Sequence, residues 1–103
     1  MDGEYMARVS PETRRRVERL FGGAQQCEEA ARMLDEQCGN NLAFATHLDA
    51  RALERYRFAA LKLSGGDLEK LREAVTLAKK DWRDLLMAAD FGHDVHAHER
   101  WLP

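Results

Sequence analysis

Apolar residues recur along this chain at helical spacing, and no stretch alternates as a strand would. Glycines fall in clusters between the periodic stretches, and the two prolines are Pro11 and Pro103. The pattern predicts an all-α fold, a compact antiparallel bundle of about four helices. A first helix starts at Pro11 with Ser10 as its N-cap, since proline at the first helical position loses no hydrogen bond. Val17, Leu20 and Phe21 form its apolar side, and Gly22-Gly23 ends it. A second helix spans Ala24 to Cys38, with Cys27, Ala31, Leu34 and Cys38 on one face.

Residues 42–48 read equally as connector or helix. A third helix runs from Asp49 to Leu63, with Leu53, Tyr56, Ala60 and Leu63 as its stripe. Phe58 lies about 200° from Tyr56, so this helix is apolar on two sides. A central position in the bundle, or a second contact surface, accounts for that. Ser64-Gly65-Gly66-Asp67 is a turn in which Asp67 caps a fourth helix, predicted from Leu68 to Asp90. Leu68, Leu71, Val75, Ala78, Trp82, Leu85 and Ala89 keep a strict 3-4 spacing along it. Residues 1–9 and 92–103 read as tails of a single domain, 1–103.

The segment Arg55–Ala89, containing LKLSGGDLEKLR and AKKDWRDLL, resembles a group of short bacterial helical proteins of uncharacterised function. The resemblance implies a small bacterial helical domain and attaches no activity to any residue.

Charge narrows the function classes. Sixteen basic and eighteen acidic side chains give a net charge of −2, spread evenly along 103 residues, so bulk charge points to neither nucleic acid nor membrane. The longest apolar run is five residues, Leu85 to Ala89, against about 20 for a membrane span. The opening MDGEYMARVS has no secretory character, and a cytoplasmic location is expected. Cys27 and Cys38 are eleven apart. On a helix that separates them by ~16 Å, beyond disulfide reach, so both read as small core residues.

Three constellations carry candidate chemistry. On the third helix Arg51, Arg55 and Lys62 fall on one ridge beside Phe58. Arginine and aromatic residues concentrate binding energy, so these four are the expected contact with a protein partner or a second copy. Arg72, Lys79 and Arg83 form a second ridge on the fourth helix, and the alternative is that the basic ridges of helices 3 and 4 track the phosphates of a nucleic acid. His93, His96 and His98 lie within six residues beside Asp90, Asp94 and Glu99, a possible metal-ligand set, with His47 the only other histidine. No regular geometry presents all three together, and the alternative is a polar tail pinned by Trp101.

The run Arg14-Arg15-Arg16 with Arg19 reads as a solvated surface. Asp81 and Asp84 read as charges paired by Lys80 and Arg83. With no nucleophile–base pair or phosphate-cradling glycine loop, the chain is expected to be a non-enzymatic interaction or regulatory module needing no cofactor.

Overall fold

A computed structural model describes residues 4–39, 41–42 and 48–103. Five α-helices and a 3-10 helix make up the regular structure among them, without strands. Residues 43–47, the middle of the ambiguous segment, lie outside the described residues, as does His47 within them.

Helix α1 (Pro11–Phe21) begins where the sequence places it. The Ser10 hydroxyl accepts the Thr13 N–H at 3.2 Å, and Gly22 closes the helix at φ 66°. Helix α2 (Ala24–Gln37) buries Cys27, Ala31 and Leu34, with Cys38 buried at its C-cap. Residues 4–9 lie back along α2. Arg8 pairs with Asp35, the Tyr5 hydroxyl donates to Glu36, and the Tyr5 N–H donates to Glu28.

Helix α3 (Glu54–Ser64) starts later than the sequence predicts. Asp49 accepts the Ala52 N–H through its side chain at 2.8 Å and the Leu53 N–H through its carbonyl, so 49–53 form a turn ahead of the helix. Leu53, Arg57, Ala60, Leu61 and Ser64 are buried along one side, and Phe58 and Ala59 are buried beyond its two edges. Helix α3 meets α1, α4, α5 and the 3-10 helix. Its two apolar sides therefore reflect a central position.

The turn after α3 requires glycine. Gly66 has φ 91°, and a Cβ there would stand 2.6 Å from the Leu20 carbonyl oxygen of α1. Asp67 then caps α4 (Leu68–Lys80), its carboxylate accepting the N–H groups of Glu69 and Lys70.

The single fourth helix predicted from Leu68 to Asp90 is in fact two. Asp81 sits at φ −157° and ψ 94°, and α5 (Trp82–Ala88) starts after it. The cause is the Asp81 side chain, which accepts from the N–H groups of Arg83 and Asp84 at 3.1 and 3.3 Å. Its carboxylate is thus a helix cap, not one half of a surface ion pair. Leu85 and Ala89 stay buried across the break, while Trp82 is half-buried, edge-on to Tyr56 at 6.1 Å.

Helix α5 ends in a Schellman arrangement. The Phe91 N–H bonds the Leu86 carbonyl, the Asp90 N–H bonds that of Met87, and Asp90 takes φ 63°. The chain beyond folds onto the bundle. Ala97–Arg100 forms the 3-10 helix, and Trp101–Pro103 extends along α1 and α3.

Candidate partner-binding cleft

The N-terminal ends of α1 and α3 and the C-terminal segment enclose a cleft of about 490 Å³. Its walls include Ser10, Glu12, Arg16, Arg51, Glu54, Phe58 and Glu99. An adjoining cleft of about 390 Å³ shares Arg51, Glu54 and Glu99 and adds Arg55, Tyr56, Val95 and His98.

The polar floor is locked by internal hydrogen bonds. The Ser10 hydroxyl donates to Glu54 Oε2 at 2.7 Å and lies 2.9 Å from the Thr13 hydroxyl; all three residues are buried. Arg16 is only 2% exposed. Its Nε donates to the Trp101 carbonyl at 3.0 Å, and Nη1 donates to the carbonyl and carboxylate of Glu12. The guanidinium carbon stands 4.0 Å from the centroid of the Phe58 ring. Arg16 holds the Glu12 carboxyl below its usual range. The reading of Arg14-Arg15-Arg16 as a uniformly solvated run thus fails at Arg16, because its turn of the helix faces the core.

The expected partner ridge is divided. Arg51 is exposed and lines both clefts. Phe58 is 1% exposed, which corrects its placement on a contact surface. The chain's own C-terminal segment covers it: the His98 ring lies at 5.5 Å and the Trp101 ring at 6.3 Å, with Arg16 stacked on the same ring. Arg55 and Lys62 serve the end of α5. Arg55 donates to the Phe91 carbonyl at 3.1 Å, and Lys62 donates to the Ala89 carbonyl at 2.8 Å. Cations at those positions satisfy carbonyls that the helix leaves open.

The second ridge is exposed at Arg72, Lys79 and Arg83. Arg72 pairs with Glu69 at 2.7 Å, Lys79 donates to the Gln37 side chain at 2.8 Å, and Arg83 lies 5.3 Å from the centroid of the Trp82 ring. Arg72 and Lys79 edge a groove of about 330 Å³ between α2 and α4 that also carries Glu29 and Glu36.

The histidines diverge. His93 is exposed, 3.8 Å from Asp90, and His96 is exposed, 3.0 Å from Glu99. His98 points into the core between Phe58 and Phe91. Among the described residues no three metal-ligating side chains gather into a site, so the 3-10 helix separates the set the sequence brings together. Neither cysteine is poised as a thiolate. Burial pushes the Cys38 thiol up to about 12 and raises that of Cys27.

Sequence reasoning missed Arg16, Glu54 and Arg57 as interior groups. Arg57 is 2% exposed and donates from Nε to the Cys38 carbonyl at 3.0 Å, tying α3 to the end of α2. Burial lowers its pKa. A signal existed for Arg16, which falls three residues after Thr13 and four before Leu20, in register with the apolar side of α1.

No family model, curated protein or solved structure matches the chain.

Proposed function

We propose that this chain is a non-enzymatic interaction module of the bacterial cytoplasm, and that the cleft at the N-terminal ends of α1 and α3 takes a segment of a protein partner. One observation carries the reading. The exposed Arg51 stands in a cleft lined by the exposed Pro11 and by carboxylates at Glu12 and Glu99, with the largely covered Phe58 ring at its base. A polypeptide offers both charge signs and apolar surface together, whereas a polyanion meets repulsion from those carboxylates. Arginine is also a residue type on which binding energy concentrates.

The nucleic-acid alternative draws on Arg72, Lys79 and Arg83. It is the weaker reading, because Arg72 already pairs with Glu69 and the nearby groove carries Glu29 and Glu36. Phosphate binding there would have to displace those carboxylates.

The test is selection of a random peptide display library on the full chain, followed by amide NMR mapping with the selected peptides. Enriched peptides that perturb Arg51, Glu54 and Glu99 and bind Arg51→Glu at least tenfold more weakly support the reading. Peptides that map elsewhere, or a library from which none enriches, overturn it. Binding to a labelled oligonucleotide that weakens steeply with salt and is lost in Arg72→Glu would favour the alternative instead.

A further inference from the structure

His98 is the residue of the C-terminal segment that goes deepest. It is 8% exposed, its ring packs 5.5 Å from Phe58 and 6.4 Å from Phe91, and its Nδ1 is buried without a hydrogen-bond partner. A neutral imidazole tolerates that position, because an unprotonated nitrogen demands little. An imidazolium places a second donor there with nothing to receive it, at the cost of a buried, unsatisfied charge.

The surrounding charges nearly offset each other. Glu54 and Arg55 face the ring from α3, and His96 and Glu99 from its own segment. Arg16 of α1 stacks on the same Phe58 ring. Glu54 already accepts the Ser10 hydroxyl, and Glu99 contacts His96. Arg55 adds a cation whose Nε is itself buried and unpartnered. With two carboxylates set against two guanidiniums, loss of hydration decides.

We infer that Ala97–Pro103 is a pH-released strap: protonation of His98 undocks it from Phe58 and Phe91 and removes the Glu99 wall of the cleft. The strap is suited to leave as a unit. Its attachments to the bundle include the ring contacts of His98 and Trp101 with Phe58 and Phe91 and the carbonyls of Glu99, Trp101 and Pro103 held by Arg16 and Arg19. These are side-chain contacts, none of them a backbone hydrogen bond of α1 to α5, so the five helices keep their ladders when it goes. The inference concerns the strap alone and stands independently of what the cleft takes.

The sign follows from linkage. Burial holds the docked His98 below its ordinary value, whereas a released His98 titrates near 6.5. Docking is therefore fully stable above about pH 6.5 and weakens as pH falls, by up to about tenfold in the docked-to-released ratio per pH unit. The loss levels off below the docked value.

The experiment follows the Trp101 indole N–H by NMR in the full chain from pH 8 to 5, with far-UV circular dichroism alongside. The expected result is a shift toward the free-indole position below pH 6.5, with helicity retained. His98→Phe, which keeps a ring in place, should abolish the shift. The double variant His93→Gln/His96→Gln should retain it. A Trp101 signal that does not move, or moves equally in His98→Phe, overturns the inference. Should His98→Phe fail to fold at pH 7.5, the His98 titration in the wild-type chain decides instead: a value at or above 6.5 overturns it.

Discussion

Three consecutive arginines offer a sharp test of how the chain is held together, because only the third is interior. Arg15 is mostly exposed and pairs with Glu12 at 3.6 Å, whereas Arg16 is buried against Phe58 and the Trp101 carbonyl. Consider Arg16→Met, which keeps an unbranched apolar stem and removes the guanidinium. The charged hydrogen bond to Trp101 contributes roughly 1.5–3 kcal/mol. The stacking on Phe58 adds about 1–2 kcal/mol at a desolvated site. Against this, methionine spares the desolvation of a buried cation, which offsets part of both. The net expectation is a loss of about 2.5 kcal/mol.

At about 2.1 cal/mol/K of unfolding entropy per residue, a chain of 103 residues loses about 12 °C in Tm for that change. Arg15→Met should cost less than about 0.5 kcal/mol, or about 2 °C. Thermal unfolding by circular dichroism measures both. In a Trp82→Phe background, Trp101 fluorescence should shift red in Arg16→Met alone, because the strap loses its main anchor. If Arg16→Met melts within 3 °C of Arg15→Met, or if Trp101 emission stays unchanged, Arg16 is no anchor and the reasoning is wrong.

Two further substitutions separate the structure from the simpler pattern in the sequence. Phe58→Asp places a carboxylate at a position 1% exposed, at a cost of at least about 4 kcal/mol, and should abolish the cooperative melt; a folded, helical variant would mean that Phe58 belongs to the surface. Asp81→Ala removes the cap of α5 and should lower Tm by about 5 °C, from about 1 kcal/mol. Were α4 and α5 one continuous helix, alanine would raise Tm, so the direction alone discriminates.

The helices were legible because their signals are local. Ser10-Pro11, Gly22, and Gly65-Gly66-Asp67 fix starts and stops by backbone chemistry within a few residues, and all of them appear as expected. The break at Asp81 was hidden because one residue leaves the helix and the 3-4 spacing resumes. Periodicity sees the stripe and not the single capped position. Aspartate with two free N–H groups ahead of it was the available signal, and it competes with a long periodic run that argues the opposite way. The late start of α3 was hidden for a similar reason. Asp49 is a fair cap, but it closes a turn first.

The site residues were less legible, because their roles depend on which distant segment covers them. Arg55, Phe58 and Lys62 do share one side of α3, while Arg51 sits in the turn before it. Whether a ridge is surface or interior is decided by elements 27 to 43 residues away in sequence. Phe91 and Ala89 bring their carbonyls to Arg55 and Lys62, and Trp101 and His98 cover Phe58. The same holds for the histidines, whose grouping within six residues is dissolved by a single 3-10 turn.

These long-range contacts have a common direction, and it links the strap to the rest of the fold. Arg16, Arg55 and Lys62 each use a side-chain cation to hold backbone carbonyls near or beyond the end of α5. A carbonyl held this way needs no particular side chain of its own, so the sequence of the held segment stays free at most positions. The exceptions are the rings that fill the space between: Phe91, His98 and Trp101 against Phe58. Of these, His98 alone carries a titratable group. Phenylalanine would fill the same space without the burden of an unsatisfied nitrogen, so histidine there lowers stability for no gain in packing. That asymmetry is what a switch requires: an anchor strong enough to dock the segment near neutral pH, and one member whose charge state can undo it.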